Sequence, residues 1–238
     1  METDLFGAPA PEPATIQSGF DFPASLTEKY RPRTLDAFVG LDKPKKIARY
    51  LIAHPKESAF LFSGPSGTGK TTLALALAEL MPAELHHVPS QECNLANIEK
   101  VRAQCQYVPR NLDDGRPCRW HLVLADEIDQ LTGAAQISLL SKLDGTNRFP
   151  NTIFIGTTNL TIDEANAKLE RRFVSRFQPV EFSSYGIAGQ TADMLAAIWR
   201  KECAVEDAKT PDFARIVKDS KNNVRASLMA LETELMCA

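Results

Sequence analysis

Short apolar runs alternate with amphipathic stretches between Ser25 and Phe182. Each apolar run is followed by polar turn or cap residues, and the runs are AFLFSG, ELHHV, WHLVLADE and TIFIGTTN. This pattern predicts buried strands. The stretches between them, LALALAEL, NLANIEKVRAQCQ and AAQISLLSKL, have helical spacing. Strands that alternate with helices predict an α/β fold, with a parallel sheet covered by helices on both faces.

The pattern changes after Phe182, where apolar positions recur only with helical spacing. Two helical faces are predicted, one formed by Met194, Leu195, Ile198 and Trp199 and the other by Val224, Leu228, Leu231 and Leu235. We therefore expect an α/β domain over residues 25–182 and a small helical lid domain over residues 183–238. Residues 1–24 are rich in Pro, Ala and polar residues, which predicts a flexible tail.

The composition of the chain limits how it could bind DNA or a membrane and in which compartment it could work. The formal net charge is −3, so any DNA contact must come from a local stripe of basic residues. The five cysteines are at least 12 residues apart, which indicates reduced thiols, and a zinc site would require scattered ligands to converge. No signal peptide or membrane span is visible. We predict a cytoplasmic, nucleoid-associated protein with no membrane partner.

The segment SGPSGTGKTT matches the pattern G-x-x-x-x-G-K-[ST] at every fixed position and lies between a strand and a helix. Its glycines allow backbone N–H groups to face phosphate oxygens, and the helix N-terminus favours anions. We expect Lys70 to reach the β- and γ-phosphates and Thr71 to bind Mg²⁺. The predicted nucleotide-binding residues are Gly64, Pro65, Ser66, Gly67, Thr68, Gly69, Lys70, Thr71 and Thr72. The motif therefore predicts a bound nucleoside triphosphate with Mg²⁺.

Polar residues also end two other predicted strands. Asp126 and Glu127 follow HLVLA, and Asn159 follows IFIGTT. The carboxyl ends of parallel strands form the edge where open α/β sheets bind ligands. We expect Asp126 to complete the magnesium site, Glu127 to polarise the attacking water and Asn159 to orient that water or contact the γ-phosphate.

These three elements, followed by a helical lid, resemble the AAA+ ATPases. The segment SLTEKYRPRTLDAFVGLDKPKKIARYL resembles the entry segment of the clamp-loader, or replication-factor-C small-subunit, branch. VSRFQPVEF resembles the Ser-Arg-Cys stretch of that branch, with Phe177 in place of the cysteine, and NNVRASLMALE resembles its lid helix. The resemblance covers about residues 25–238 and implies a P-loop NTPase fold.

The resemblance also implies roles for single residues. Asn159 corresponds to sensor 1 and Arg225 to sensor 2, while Arg176 corresponds to an arginine finger that acts on a neighbouring subunit, with Arg172 as the second candidate. Arg225 follows the good N-cap residues Asn222 and Asn223, which indicates the first turn of a helix. The adenine pocket would be lined by Tyr30, Arg31, Pro32 and Val39.

Two departures from the branch affect the predicted assembly. Clamp-loader subunits carry a further helical collar, and this sequence stops at Ala238, after the lid. We therefore expect any ring or spiral of this chain, alone or with related subunits, to rest on ATPase and lid surfaces. The acidic motif is Asp-Glu-Ile-Asp, where the branch commonly has Asp-Glu-Ala-Asp, and both catalytic acids are retained.

Three uses of ATP are compatible with these features. The first is clamp-loader-like action on DNA in replication or repair, with Thr132, Gln136 and Ser138 as candidate phosphate contacts. The second is an ATP-dependent switch, such as a helicase loader or a transposition helper. The third, protein remodelling, is disfavoured because HHVPSQECNLANIE has no aromatic residue and no glycine.

The tail contains one candidate docking peptide. Glu2-Thr-Asp-Leu-Phe6 resembles the Leu-Phe peptides with which bacterial replication proteins bind sliding clamps. The usual leading glutamine is absent, and a Leu-Phe pair in such a tail also arises by chance. A sliding clamp is therefore a candidate partner.

Overall fold

The computed structural model describes residues 24–110, 115, 117–143, 149–203 and 209–237. All but the last residue of the predicted tail lie outside the described residues, and so does the candidate clamp peptide Glu2–Phe6. The predicted α/β and helical regions are largely covered.

Five strands form one parallel sheet in the order β2-β3-β4-β1-β5. The strands are β1 (Ser58–Ser63), β2 (Ala83–Val88), β3 (Trp120–Ala125), β4 (Thr152–Thr158) and β5 (Gln178–Glu181). Every residue of β4 is buried, as expected for a central strand covered on both faces. The predicted α/β class is confirmed, and β2 is an edge strand.

Each face of the sheet has its own apolar core, because side chains alternate along the strands. Phe60 and Phe62 of β1 pack on one face with Leu77 from the helix after the P-loop. Leu61, between them, packs on the opposite face with Leu139. The sheet is therefore the middle of three layers, and its polar residues are concentrated at the strand ends.

The described part of the chain contains ten α-helices. They are α1 (Leu26–Lys29), α2 (Asp42–Ala53), α3 (Lys70–Leu80), α4 (Leu95–Gln104), α5 (Gly133–Leu143), α6 (Ile162–Lys168), α7 (Arg171–Val174), α8 (Ala188–Glu202), α9 (Phe213–Asp219) and α10 (Val224–Met236). Side chains cap several of them: Asn94 caps α4, and Thr161 forms a capping box with Glu164 at α6. None of these helices has the length and apolarity needed to cross a membrane.

The last three helices, α8, α9 and α10, form a separate apolar core, and we refer to them as the lid helices. Both predicted helical faces contribute to this core, and all eight of their residues lie in it or against it. Leu26 of α1 also belongs to this core, and its backbone N–H donates to Glu232 Oε1 at 3.3 Å. The entry helix therefore packs on the lid helices, although we assigned it with the α/β domain.

Candidate nucleotide site

The loop between β1 and α3 has a backbone that depends on glycine. Gly64 has a φ of +131°, and a Cβ atom there would lie 2.1 Å from the backbone oxygen of Phe182. No other residue fits this position without a shift of the backbone. The loop leads directly into α3, which begins at Lys70. The predicted phosphate-binding loop thus has the strand-loop-helix context that anion binding requires.

Lys70 is buried, with 7% of its surface exposed, and its Nζ atom lies inside the loop. Nζ donates to the backbone oxygens of Gly64 and Pro65 at 2.7 and 2.8 Å and to Asn159 Oδ1 at 3.0 Å. Burial, and then the positive charge of Arg225, lower the pKa of Lys70 to about 8. Phosphate oxygens would supply the negative charge that this ammonium group needs.

Asp126 lies at the end of β3 among hydroxyl groups. Its Oδ1 atom accepts from the hydroxyls of Thr71 and Thr157, each at 2.9 Å. Its Oδ2 atom is 2.8 Å from His87 Nε2. Mg²⁺ prefers oxygen ligands and is usually held by one or two carboxylates together with phosphates and water. The hydroxyl of Thr71 and the carboxylate of Asp126 fit that requirement.

Glu127 and Asn159 are linked in front of the P-loop. Glu127 has a left-handed backbone, with a φ of +50°, and its N–H donates to Thr157 Oγ1 at 3.1 Å. Asn159 Nδ2 donates to Glu127 Oε1 at 3.3 Å, while Asn159 Oδ1 accepts from Lys70. A single amide therefore connects the predicted water-polarising carboxylate to the predicted phosphate-binding lysine.

Two adjoining cavities form one cleft over the P-loop. The cavity beside the phosphate side has a volume of about 290 Å³ and contains Asp126, Glu127 and Asn159 in its wall. The second has a volume of about 330 Å³, and all four predicted adenine-pocket residues line it: Tyr30, Arg31, Pro32 and Val39. Arg31 and Arg225 line both cavities. The cleft therefore has one polar end and one end with apolar walls.

Tyr30 connects the adenine-side cavity to the lid helices. Its hydroxyl donates to Glu202 at the end of α8, and Lys29 Nζ lies 2.6 Å from the same carboxylate. Burial, together with the hydrogen bond to Glu202, raises the pKa of Tyr30 to about 12. The tyrosine is therefore neutral at physiological pH, and its position depends on α8.

The lid helices also contact the P-loop. Arg225 lies in the first turn of α10, as predicted. Asn223 is the N-cap of this helix: its Oδ1 accepts from the N–H of Ala226 at 3.1 Å, while its Nδ2 donates to the oxygen of Ser66 at 2.9 Å. One asparagine therefore caps the start of a lid helix and binds the phosphate loop. Because Arg225 is two residues after this contact, its position is tied to the loop.

A family model described as the ATPase family associated with various cellular activities (AAA) matches residues 60–181, more than half of the 238-residue chain. The chain belongs to this family. The matched segment contains the P-loop, Asp126, Glu127 and Asn159, whereas Tyr30 and Arg225 lie outside it.

Curated relatives of this AAA chain are replication factor C small subunits. The protein from Thermofilum pendens is 35% identical over 156 residues, which cover 64% of this chain and 47% of the relative. Small subunit 1 from Pyrobaculum islandicum is 33% identical, with 64% and 46% covered. The chain thus spans about half the length of these curated relatives. The predicted resemblance to AAA+ ATPases of the replication-factor-C branch is confirmed.

Solved structures with a similar fold include RuvB from Thermotoga maritima, a Holliday junction branch migration motor. It matches with a TM-score of 0.63 and 20% sequence identity, over 85% of this chain and 64% of RuvB. A variant of the same RuvB protein gives the same TM-score. At this identity the similarity supports the fold alone, and it agrees with the P-loop AAA+ architecture described above.

The two candidate arginine fingers of the AAA chain lie outside its own cleft. Arg176 and Arg172 are exposed, and neither lines the two cavities. Arg172 Nε is 3.1 Å from Glu170 Oε1, and Arg176 donates to the hydroxyl of Ser175 at 3.2 Å. The structure thus separates these arginines from Lys70, and their role stays a prediction.

One predicted DNA contact is wrong. Gln136 is buried, with 6% of its surface exposed, and its amide is used inside the protein. Nε2 donates to the oxygen of Leu131 at 2.9 Å, and Oε1 accepts from the N–H of Glu170 at 2.9 Å. The helical spacing of α5 was predicted correctly, but Gln136 belongs to its inward face. Thr132 is exposed and remains available.

Two contacts of the site were missed by sequence reasoning. His87 reaches Asp126 from the end of β2, and Asn223 reaches Ser66 from the lid. Both contacts join residues that are far apart in sequence, so neither belongs to a local motif. His87 lies next to the last residue of β2, which neighbours β3, and this would have suggested the first contact if the strand order had been known.

Proposed function

We propose that this chain binds ATP with Mg²⁺ and hydrolyses it to ADP and phosphate, as a subunit of an oligomer that acts on DNA in the manner of a clamp loader. One observation carries the ATPase part. The side chains of Lys70, Thr71, Asp126, Glu127 and Asn159 meet at one edge of the sheet, linked by hydrogen bonds of 2.9 to 3.3 Å.

The residues of the cleft divide into binding and reacting groups. The backbone N–H groups of the P-loop and Lys70 bind the phosphates, and Arg31 with Arg225 adds positive charge where the two cavities meet. Thr71 and Asp126 would hold Mg²⁺, which neutralises charge on the phosphate oxygens. The base and ribose fill the cavity lined by Tyr30, Pro32 and Val39.

Glu127 polarises the attacking water. The water oxygen forms a bond to the γ-phosphorus, the bond from that phosphorus to the bridging oxygen breaks, and a water proton passes towards Glu127. Asn159 holds the Glu127 carboxylate through Nδ2, so it positions the base as well as contacting Lys70. Glu127→Gln keeps the hydrogen bond to Asn159 possible but removes the basic oxygen.

Arg176 is the proposed arginine finger of a neighbouring subunit, with Arg172 as the second candidate. Its exposure and its position outside the cleft support action in trans. Arg176→Ala is expected to bind ATP normally and to hydrolyse it about 10³-fold more slowly, because such a finger stabilises charge in the transition state. Arg172→Ala is the matched control.

Action in trans has a specific test. An equimolar mixture of Arg176→Ala and Lys70→Ala contains one kind of hybrid interface with both an intact P-loop and an intact finger. We expect the mixture to recover part of the activity that each variant lacks alone. If no mixing ratio restores hydrolysis, the finger does not act between subunits.

The proposal of DNA as the partner is supported by the relatives, whose names place them in replication factor C, and by the exposed start of α5 at Thr132. With DNA as the partner, we propose that the protein works at the nucleoid in the cytoplasm. A sliding clamp is a further proposed partner, through the peptide Glu2–Phe6. An ATP-dependent switch that assembles on DNA is the competing function.

The experiment that tests this function is steady-state ATP hydrolysis over a range of protein concentrations, with and without primed DNA. Specific activity should rise with protein concentration and again with DNA, and Glu127→Gln should hydrolyse ATP at least about 10²-fold more slowly under all conditions. Activity that does not respond to DNA would contradict clamp-loader-like action. Particles of fixed subunit count support a loader, whereas filaments that grow with concentration support the switch.

A further inference from the structure

A second cluster of polar side chains lies beside the β2–β3 pair, outside the nucleotide cleft. His86 is on the edge strand β2, His121 is on β3, and Cys105 ends α4. One ligand atom from each of these residues lies within 4.8 Å of the other two. All three residues are buried, with exposures of 8%, 1% and 1%. None of them takes part in the nucleotide cleft.

A fourth group lies beside the cluster. Glu84 is the register partner of His121 across the β2–β3 pair, and its Oε2 atom lies 3.6 Å from His121 Nδ1. The Glu84 carboxylate is held from outside by Arg110, whose backbone N–H and Nε donate to it at 2.9 and 3.1 Å. Its side chain is 17% exposed, so Glu84 lies on the solvent side of the buried ligand atoms.

The hydrogen bonds of His121 aim a lone pair into the cluster. His121 Nε2 is 3.0 Å from the backbone oxygen of Tyr107. A carbonyl oxygen only accepts, so Nε2 carries the proton of the neutral ring and Nδ1 carries the lone pair. Nδ1 faces His86 Nε2 at 2.9 Å. Histidines that bind metals use the same arrangement, in which the second ring nitrogen donates to a backbone carbonyl.

We propose that His86, Cys105, His121 and Glu84 bind one zinc ion. Two imidazole nitrogens, one thiolate and one carboxylate are ligands that zinc accepts, in four-coordinate tetrahedral sites. Zinc–nitrogen bonds of about 2.0–2.1 Å and a zinc–sulfur bond of about 2.3 Å place tetrahedral ligands roughly 3.3–3.6 Å apart. The ligand atoms of His86, Cys105 and His121 lie between 2.9 Å and at most 4.8 Å apart, which brackets these values. The Glu84 carboxylate, 3.6 Å from His121 Nδ1, moves inwards to complete the site.

In chemical terms, zinc takes the place of the proton that lies between the two histidines. The His86–His121 hydrogen bond is replaced by two nitrogen–zinc bonds, and the ring proton of His86 moves from Nε2 to Nδ1, so both imidazoles stay neutral. The Cys105 thiol loses its proton to solvent when sulfur binds. No oxidant or reductant is needed. With four protein ligands the site is structural, and it ties the end of α4 and the following loop at Tyr107 to the edge strand β2.

The first test uses cobalt as a spectroscopic probe. The full chain is stripped with a chelator and titrated with Co²⁺ in the absence of nucleotide. We expect saturation at one equivalent, a thiolate-to-cobalt charge-transfer band, and loss of that band when zinc is added. Cys105→Ser should lose the band. Cys93→Ser is the matched control, because Cys93 is also a buried cysteine, in the same apolar core as Cys105, and should keep the band.

Binding of ATP by Cys105→Ser shows whether that variant is folded, because Cys105 lies outside the nucleotide cleft. If the variant does not fold, X-ray absorption of the zinc-loaded parental chain decides. It should show one sulfur at about 2.3 Å and nitrogen or oxygen neighbours at about 2.0–2.1 Å. The proposal is overturned if the parental chain gives no thiolate band, if the band survives in Cys105→Ser, or if it is lost in Cys93→Ser.

Discussion

The nucleotide site and the second cluster both collect polar side chains from β2 and β3, and they differ in what brings those side chains together. At the carboxyl ends of the strands, Asp126 follows β3 and His87 is the next-to-last residue of β2, where polar residues are expected. In the second cluster, His86 and His121 lie inside the strands, where their neighbours on both sides of the sheet are mostly apolar. The first arrangement follows from the sequence pattern, and the second only from strand order.

The two sites also differ in the energetic cost of burying their polar groups. Lys70 is buried with its charge facing backbone oxygens, and its lowered pKa shows that burial disfavours the charged form. His86 and His121 are buried as a hydrogen-bonded pair, which burial penalises less than an ion. A bound anion would relieve the first site and a bound cation the second.

The largest expected effect is on hydrolysis at the carboxyl edge. Glu127→Gln should bind ATP and turn it over about 10²- to 10⁴-fold more slowly, because it loses the group that polarises the water. Phosphate release measures this loss. Asp163→Asn, at an exposed acid in α6, is the control. Hydrolysis by Glu127→Gln at the parental rate would show that another residue activates the water.

A somewhat smaller effect is expected on nucleotide binding. Lys70→Ala should weaken ATP affinity on the order of 100-fold, because a hydrogen bond to a charged group contributes about 1.5–3 kcal/mol. Titration with a fluorescent ATP analogue measures the change. Cys105→Ser, in the second cluster, should bind the analogue as the parental chain does. Equal losses in both variants would show that the two sites are not independent.

The affinity for ATP should also depend on pH, through the charge of Lys70. The pKa of Lys70 is lowered to about 8, so the free chain loses this charge as the pH rises through 8. ATP favours the protonated form, and affinity should therefore fall about tenfold between pH 7 and pH 9. In Lys70→Arg the side chain stays charged, so its affinity should be flat over this range. A parental affinity that does not change with pH would contradict the lowered pKa.

The smallest expected effect concerns the contact between lid and P-loop. Asn223→Ala removes the N-cap of α10 and should lower the free energy of unfolding by about 1 kcal/mol, as measured by urea denaturation. Asp212→Ala removes the N-cap of α9 without touching the P-loop, and it should cost a similar amount. Only Asn223→Ala is expected to weaken ATP binding as well. Equal affinities in the two variants would show that the contact between Asn223 and Ser66 does not support ATP binding.

Much of the nucleotide site follows from local sequence. The P-loop, Asp126, Glu127 and Asn159 each follow an apolar strand, and the edge they share is fixed once the strands are parallel. Arg225 could be placed because Asn223 is a good N-cap residue. These positions were predictable because each depends on one strand end or one helix start.

The remaining contacts depend on which elements are neighbours. Gln136 is polar, but α5 turns it towards the N–H of Glu170, and helical spacing alone does not give that orientation. The meeting of His86, Cys105 and His121 requires both the β2–β3 register and the end of α4. From the sequence, a zinc site requires scattered cysteines and histidines to converge. Only the fold shows that His86, Cys105 and His121 are the ones that meet.

Gly67 has a consequence for how this sequence can vary. Its φ is +74°, and a Cβ atom there would lie 2.1 Å from Asn223 Oδ1. A side chain at position 67 would therefore push the start of α10, and Arg225 with it, away from the P-loop. The effect of a mutation at position 67 therefore depends on which residue occupies position 223. Gly67→Ala should be less harmful when combined with Asn223→Gly, although its backbone cost remains.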